Sequence, residues 1–332
     1  MIFGKEKELK SQIISIGKKL ADLRLVTATA GNLSARLNED TILITATGTS
    51  LGGLKEDDII KADITKEETR ARLSTEFPLH RLIYQSFPAQ TVIHCHPPLI
   101  NGYFAVYAEL KTLTFESKLY LGNVPVVPQE TPSITKPQAV IEALKTNNLV
   151  VIKNHGVVAM ADEFKKGLDL IGTLEEAVKV AATARLFDKG ALDGLDAALK
   201  EDLTRKTDMY PMFSREHIQA IVELVNHDEF IAKKGQEMGL TLKLAIKIDG
   251  DNRIYKFNFE KGRITALEFD EDAPFIICAP ADVWEMVFLG KLDPFVATTQ
   301  GKMKLKGDLG KLSRWYVPFS RLFELFKAVK IK

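Results

Sequence analysis

Three histidines and one glutamate in this 332-residue chain have the types and settings of a metal-binding group. His94 and His96 flank Cys95 in Val92-Ile93-His94-Cys95-His96-Pro97-Pro98, where an apolar run climbs to a proline pair. In a strand, residues two apart share a face, so both imidazoles project to one side and Cys95 to the other. His155 repeats the design: Leu149-Val150-Val151-Ile152 is a short apolar strand delivering Lys153-Asn154-His155-Gly156. Glu76 lies in Ser74-Thr75-Glu76-Phe77-Pro78, where hydroxyl residues before a first-turn proline announce a helix. A first-turn carboxylate is favoured by the helix dipole alone, so Glu76 gains a further role only from its company. Glu76, His94, His96 and His155 together make a three-imidazole, one-carboxylate set at element ends. That set suits Zn²⁺, or another divalent first-row ion such as Mn²⁺ or Co²⁺, with a coordination position left for substrate. His80, one helical turn beyond Glu76, reads as a packing or capping residue rather than a ligand.

The elements that must position these groups are legible from periodicity. Leu9, Ile13, Ile16, Leu20 and Leu23 repeat at helical spacing, with Lys and Glu on the outer face. Thr27-Ala28-Thr29-Ala30-Gly31-Asn32 is a small-residue loop, followed by a β-hairpin over 33–37 and 41–45 that turns at Asn38-Glu39-Asp40. A second polar loop, Thr45-Ala46-Thr47-Gly48-Thr49-Ser50, comes next. Both loops offer N–H and hydroxyl donors that suit a phosphate, and both also serve as plain turns. Neither is a P-loop, because no Gly-Lys-Ser/Thr follows. Further helices are expected at 79–87, 99–109, 134–145 and 164–187, with 122–128 extended and 188–208 a fraying helix and linker.

Length and composition bound the function. A chain of this size holds roughly two domains, expected here over 1–205 and 206–332. With 45 Lys and Arg against 44 Asp and Glu, the formal charge of +1 gives no pull toward nucleic acid or anionic membrane. No segment approaches the ~20 continuous apolar residues of a membrane span. Two cysteines distant in sequence argue against a structural disulfide, and the mixed-charge stretch from Met1 to Leu9 is no secretory signal. A soluble cytoplasmic protein is expected.

The ordered pieces Thr29-Ala30-Gly31-Asn32, Thr47-Gly48, Ser74-Thr75-Glu76, His94-Cys95-His96 and Asn154-His155-Gly156 resemble the class II aldolase/adducin family, and within it the L-fuculose-phosphate aldolase branch. The resemblance spans about residues 5 to 205. It implies an α/β (α+β) fold with an antiparallel-rich sheet between helices, and a homotetramer with active sites at subunit contacts. It implies a metal on Glu76, His94, His96 and His155, with Glu76 moving off it to act as the base. It further implies that Gly31, Asn32, Thr47, Gly48, Ser74 and Thr75 hold a substrate phosphate. The reaction implied is cleavage or formation of a C–C bond in a phosphorylated ketose such as fuculose 1-phosphate. Metal chemistry stabilises the enediolate that such cleavage leaves, so no Schiff-base lysine is required, and Lys153 at a polar strand exit is a poor candidate.

The chain departs from the aldolases at one point. They carry a tyrosine acid/base after the His-x-His strand, and in Phe115-Glu116-Ser117-Lys118-Leu119-Tyr120 no tyrosine falls in register. Glu116 matches the glutamate that a related dehydratase branch uses, while Glu76 is a carboxylate those dehydratases lack; the related 4-epimerases tend to carry Asp there. An aldolase with Glu76 and Glu116 in acid/base roles is the leading expectation. A sugar-phosphate dehydratase or 4-epimerase, or a non-catalytic adducin-like scaffold, are the alternatives.

The remaining residues carry no catalytic constellation. A helix around Ile218 to Val225, four short strands between 240 and 278 in an antiparallel meander, and a terminal helix with Trp315, Phe319, Leu322, Phe323, Phe326 and Val329 on one stripe are expected. Ala279-Pro280-Ala281-Asp282, Gly290-Lys291-Leu292-Asp293-Pro294 and Gly301 to Asp308 are similar to the sterol-carrier-protein type 2 family. That resemblance implies a smaller α+β domain around an apolar tunnel and hence an apolar or lipid ligand. The aromatic stripe is equally the pattern of a filled core.

Overall fold

A computed structural model of the protein describes residues 2–129, 134, 136–187 and 209–332. The chain divides into two compact units, Met1–Gly194 and Leu195–Lys332. The expected boundary at 205/206 and the expected linker over 188–208 lie outside the described residues.

The first unit opens with helix α1 (Ile2–Asp22), then β1 (Asn32–Arg36), β2 (Thr41–Thr45) and β3 (Ile59–Asp63). Helix α2 (Phe77–Ser86), β4 (Thr91–Cys95), α3 (Pro98–Val106), α4 (Phe115–Leu121) and β5 (Val126–Val127) follow. The unit closes with α5 (Pro137–Leu144), β6 (Leu149–Ile152), β7 (Gly156–Ala161) and α6 (Phe164–Phe187). Among the described residues these strands form a seven-stranded sheet in the order β3-β2-β1-β4-β7-β6-β5, antiparallel at each pairing except β5 with β6. Strand alternation sorts the core into two layers. Leu33, Leu43, Ile93, Cys95, Val151 and Val157 pack with α1, α3 and α6 on one face. Ile42, Ile44, Val92, Val150, Val158 and Met160 pack with α2 and α5 on the other. The resulting α/β/α sandwich matches the expected antiparallel-rich sheet between helices. β3 was not anticipated, because Ile59-Ile60-Lys61-Ala62-Asp63, with a lysine at its centre, carries little alternation.

The second unit contains β8 (Met209–Tyr210), α7 (Arg215–His227), α8 (Glu229–Glu237), β9 (Leu242–Ile248), β10 (Ile254–Glu260), β11 (Arg263–Glu268), β12 (Phe275–Ala279) and α9 (Ala281–Phe288). It ends with α10 (Pro294–Thr299), β13 (Lys304–Lys306), α11 (Leu309–Ser313), α12 (Tyr316–Ala328) and β14 (Lys330–Ile331). Its main sheet runs β11-β10-β9-β12-β13, with β12 parallel to β9. The expected four-strand meander is therefore wrong at its last strand. Phe275, Ile276 and Ile277 are all buried, and a run apolar on both faces belongs at an inner position between β9 and β13. The edge beyond β11, where Arg263 and Thr265 are exposed, would leave it half wet. Phe319, Leu322, Phe323 and Phe326 of α12 are buried against this sheet. The space that Leu322, Phe323 and Phe326 leave, lined also by Phe257, Phe259 and Trp284, is a cavity of about 10 Å³. That is room for one water-sized sphere, so the aromatic stripe is packed core.

One buried ion pair fastens α12. Arg321 gives Asp228 Oδ2 two contacts of 2.9 Å from Nε and Nη2, while Asp228 Oδ1 caps α8 by accepting from the Ile231 N–H at 2.8 Å. Both side chains are close to nine-tenths buried, and removing one partner leaves an uncompensated charge. Both tryptophans of the chain, Trp284 and Trp315, lie in this unit, so their fluorescence reports its unfolding alone. Asp228→Ala is expected to lower the urea stability read by tryptophan emission by about 3–5 kcal/mol. A change under about 1 kcal/mol would show the pair to be incidental.

Candidate metal centre

The site forms where β1, β4 and β7 run side by side. Asn32 of β1 stands opposite His94 of β4, and His94 stands opposite Val158 of β7. Residues distant in sequence therefore meet in one row of the sheet. His94 shares its face with Val92, on the α2 side, while Cys95 turns to the α6 side and is fully buried. His96 lies one residue beyond the end of β4. His155 is delivered by the tight turn between β6 and β7, where Asn154 takes a positive φ of 61°, a conformation asparagine tolerates well. The His155 carbonyl is fastened by the Asn101 side chain, whose Nδ2 donates to it at 3.1 Å.

Hydrogen bonding sets the protonation of the central ring. His94 Nδ1 lies 2.9 Å from the Val157 carbonyl, which can only accept, so Nδ1 carries the proton and Nε2 presents a lone pair. That nitrogen is 2.9 Å from His96 Nε2 and 3.2 Å from Glu76 Oε2. Glu76 Oε1 is 3.0 Å from His155 Nε2. One nitrogen from each of His94, His96 and His155 lies within 4.8 Å of the others. The ring centroids are 4.7, 5.0 and 4.6 Å apart, taken pairwise. Three imidazoles and one carboxylate come together, with acceptor facing acceptor between His94 and Glu76. A divalent cation among them relieves that opposition, and the donor set is one that Zn²⁺ and its neighbours accept. The residues fit the ion.

Electrostatics keep the set ready for a cation. Burial would push Glu76 up, but the charge that His94 would carry on taking a proton and the hydrogen bonds from His155 and Asn32 outweigh it and hold the carboxyl well below its usual range. Burial pushes His94 down, and it takes His96, which also faces two other imidazoles, to about 3. Metal ligation requires neutral imidazole and ionised carboxylate, and these are the forms favoured at His94, His96 and Glu76.

The phosphate residues implied by the resemblance lie at the same end of the sheet. The Thr47 N–H donates to the Arg72 carbonyl at 3.0 Å, which ties the Thr47-Gly48 loop to the segment leading into Ser74-Thr75. Thr47, Gly48 and Thr75 are exposed and Ser74 is buried. Gly31 has φ of +85°, and a Cβ there would stand 2.6 Å from the His94 carbonyl oxygen, so its glycine is demanded by packing against β4. The Asn32 amide is engaged at both ends: Nδ2 donates to Glu76 Oε2 at 2.9 Å, and Oδ1 accepts from His80 Nε2. His80 is fully buried, is no part of the converging set, and is pushed down to about 3 by burial. Glu116 is not brought to the cluster. It is exposed at the start of α4, in a groove with Leu168, Asp169 and Thr173 of α6, the helix on the Cys95 face of the sheet.

Gly156 is a residue of the site that the sequence named without giving it a role. A Cβ there would come 2.4 Å from the Cys95 carbonyl oxygen, 2.6 Å from His96 Cδ2 and 3.2 Å from His94 Cε1. Only glycine lets β7 approach both rings. The other unassigned supports are Asn101, Ser34 and Tyr84. Tyr84 could have been found, since Glu76, His80 and Tyr84 fall four apart on one helix face.

Comparison with known proteins gives the fold a context. A model of the class II aldolase and adducin N-terminal domain matches residues 11–182, and one of the SCP-2 sterol transfer family matches 227–316. The L-fuculose phosphate aldolase of Methanocaldococcus jannaschii is 30% identical over 181 residues, covering 54% of this chain and 99% of that protein. The 3-oxo-tetronate 4-phosphate decarboxylase of Pectobacterium atrosepticum is 25% identical over 183 residues, 53% of this chain and 84% of that protein. Among solved structures, L-fuculose-1-phosphate aldolase from Thermus thermophilus superposes with a TM-score of 0.51 at 26% identity, covering 56% of this chain and 99% of that one.

Two outcomes follow from the geometry. Gly156→Ala is expected to displace the His94 and His96 rings and abolish tight zinc binding; full zinc content in the folded variant would refute the packing constraint. The metal-free protein should also be acid-sensitive. His80 titrates at about 3 in the fold, below the ordinary value of 6.5. Above 6.5 neither state gains a proton; below it the unfolded state binds one that the fold refuses. Stability therefore falls as pH drops from 6.5 toward 3, by up to about 1.4 kcal/mol per pH unit for His80 alone. Amide exchange of β4 and β7 in chelator-treated protein measures this, and protection independent of pH over that range would contradict it.

Proposed function

Since the chain belongs to the class II aldolase and adducin family, and its second unit to the SCP-2 sterol transfer family, we propose that the first unit is a divalent-metal-dependent aldolase acting on a phosphorylated ketose such as fuculose 1-phosphate. The observation that carries this reading is the convergence of three imidazole nitrogens within 4.8 Å of one another, two of them, on His94 and His155, set against the buried Glu76 carboxylate. A divalent ion held there supplies Lewis acidity, which favours the negative charge that builds beside a carbonyl when the adjacent C–C bond breaks. His94, His96 and His155 hold the ion. Glu76, whose oxygens lie 3.2 Å from His94 Nε2 and 3.0 Å from His155 Nε2, would complete the set and move the proton at the carbon next to the carbonyl. Thr47, Gly48, Ser74, Thr75 and the Gly31 backbone take the substrate phosphate at the exposed edge of the same sheet end. Glu116, on the other face of the sheet, would serve as the second acid/base only at a neighbouring subunit's site, as the expected homotetramer allows.

A second reading is supported by the decarboxylase relative. Loss of CO₂ next to a carbonyl leaves the same charge on the same carbon as aldol cleavage, and it needs no acid for a departing aldehyde. The product separates the two readings. A reducing cytoplasm suits both free thiols, Cys95 and Cys278, and no described helix is long and apolar enough to cross a membrane. An apolar or lipid ligand in the second unit would have to displace Phe323 and Phe326 from the packed interior.

Purified protein is expected to bind about one zinc per chain, to lose turnover on chelation and to regain it with added Zn²⁺. Replacing His94 and His96 together by Ala should abolish metal binding, whereas Glu76→Gln should keep the ion on three imidazoles and lower kcat by at least about 100-fold. Release of an aldehyde from sugar phosphates supports the aldolase, and CO₂ from a phosphorylated oxo acid supports the second reading. Full metal content in the double His variant would end both.

A further inference from the structure

The centre is backed by a buried polar line that the proposed chemistry does not use. Glu76, ionised, can only accept, so the Asn32 group facing it at 2.9 Å must be the amide nitrogen. The Asn32 oxygen then points at His80 Nε2, 2.5 Å away, so that nitrogen carries the ring proton. His80 Nδ1 is left as an acceptor, and Ser34 Oγ, at 2.6 Å, must donate to it. Ser34 Oγ in turn accepts from the Tyr84 hydroxyl at 2.9 Å. Each assignment forces the next, and every proton points toward the carboxylate. The members are sealed from water: Ser34 and His80 are 0% exposed, Tyr84 3%, Asn32 7% and Glu76 8%. Around them lie Ile42, Phe77, Ile83, Val92 and Val158. Four polar side chains behind the carboxylate in such a layer are unfavourable unless fully satisfied, and an apolar filling would pack as well. Their burial calls for a role.

We propose that Tyr84, Ser34, His80 and Asn32 form a one-directional hydrogen-bond brace that fixes the Glu76 carboxylate in place, with His80 its central positioning residue. A flipped Asn32 would set its oxygen against a carboxylate oxygen; the Nε2–H of His80 forbids that flip by demanding the same oxygen for itself. Tyr84 and Ser34 lock the His80 tautomer from behind. One of the two Asn32 side-chain N–H groups is thereby committed to the base. The inference rests on the reading of Glu76 as ligand and base, and the measurements below separate the two.

The tests are made on the full zinc-loaded chain. Long-range ¹H–¹⁵N spectra of histidine-labelled protein should show His80 as the Nε2–H tautomer. Ser34→Ala, which removes a single oxygen and leaves the packing volume nearly intact, and His80→Phe should keep about one zinc per chain. They should weaken zinc affinity roughly 10-fold and lower kcat roughly 10- to 100-fold, with KM within about twofold. His80→Gln restores an N–H where Nε2 stood and should recover most of both losses. An Nδ1–H tautomer, or Ser34→Ala and His80→Phe variants with unchanged zinc affinity and kcat, overturns the brace. So does loss of zinc stoichiometry in step with activity, or failure of the glutamine to rescue. If the wild type turns over no sugar phosphate while zinc affinity responds as stated, the brace stands and the reading of Glu76 as a base falls.

Discussion

A carboxylate cannot be buried at the end of a sheet unless its oxygens are filled, and the first unit is built to fill those of Glu76. One oxygen receives the Asn32 amide and faces His94; the other faces His155. These groups come from β1, β4 and the β6–β7 turn, so the strand order that sets β1, β4 and β7 side by side is a condition of the site. Long-range pairings of this kind are slow to form. The close approach of β7 to the two imidazoles, allowed by Gly156, tightens the same constraint. The metal-binding set therefore depends less on loops than on the register of three neighbouring strands.

Much of this was legible in the chain. The His-x-His strand, its partner ending at His155 and the helix behind Glu76 were written in apolar runs, whose period follows from burial on one face. The convergence of the four groups was an inference from residue type, since periodicity says which side of a strand a residue takes but not which strands become neighbours. β3 escaped because five residues with a lysine at the centre carry little alternation. The order of the second sheet escaped for another reason. A meander is the default for consecutive strands, and only the double-sided burial of Phe275 to Ile277 shows that β12 belongs inside. Glu116 shows the limit of motif matching: its position after the His strand is as expected, yet the fold of one chain carries α4 to the far face of the sheet. The aromatic stripe of α12 could not be told from a tunnel wall by sequence, because both have the same spacing and differ only in the volume left between side chains.

The start of α2 shows what the site takes from the fold. Glu76 is the N-cap residue of that helix, a position where a side-chain oxygen ordinarily accepts from the first turn. Here it makes no such bond, because both oxygens are turned to Asn32 and the histidines. A lost cap costs about 1 kcal/mol, and the sequence softens the loss in two ways. Pro78 removes one of the donors that a cap would have had to satisfy, and Ser74 Oγ accepts from the Glu76 N–H at 3.3 Å, closing the turn ahead of the helix. The same helix then offers His80 and Tyr84 along one face, so a single element supplies the carboxylate and two members of the line behind it. A helix whose cap faces away from its own backbone, and which buries His80 and the Tyr84 hydroxyl among Phe77, Leu79 and Ile83, is poorly explained by stability alone. It is what a helix looks like when its first turn has been assigned to chemistry and the next two to holding that chemistry still.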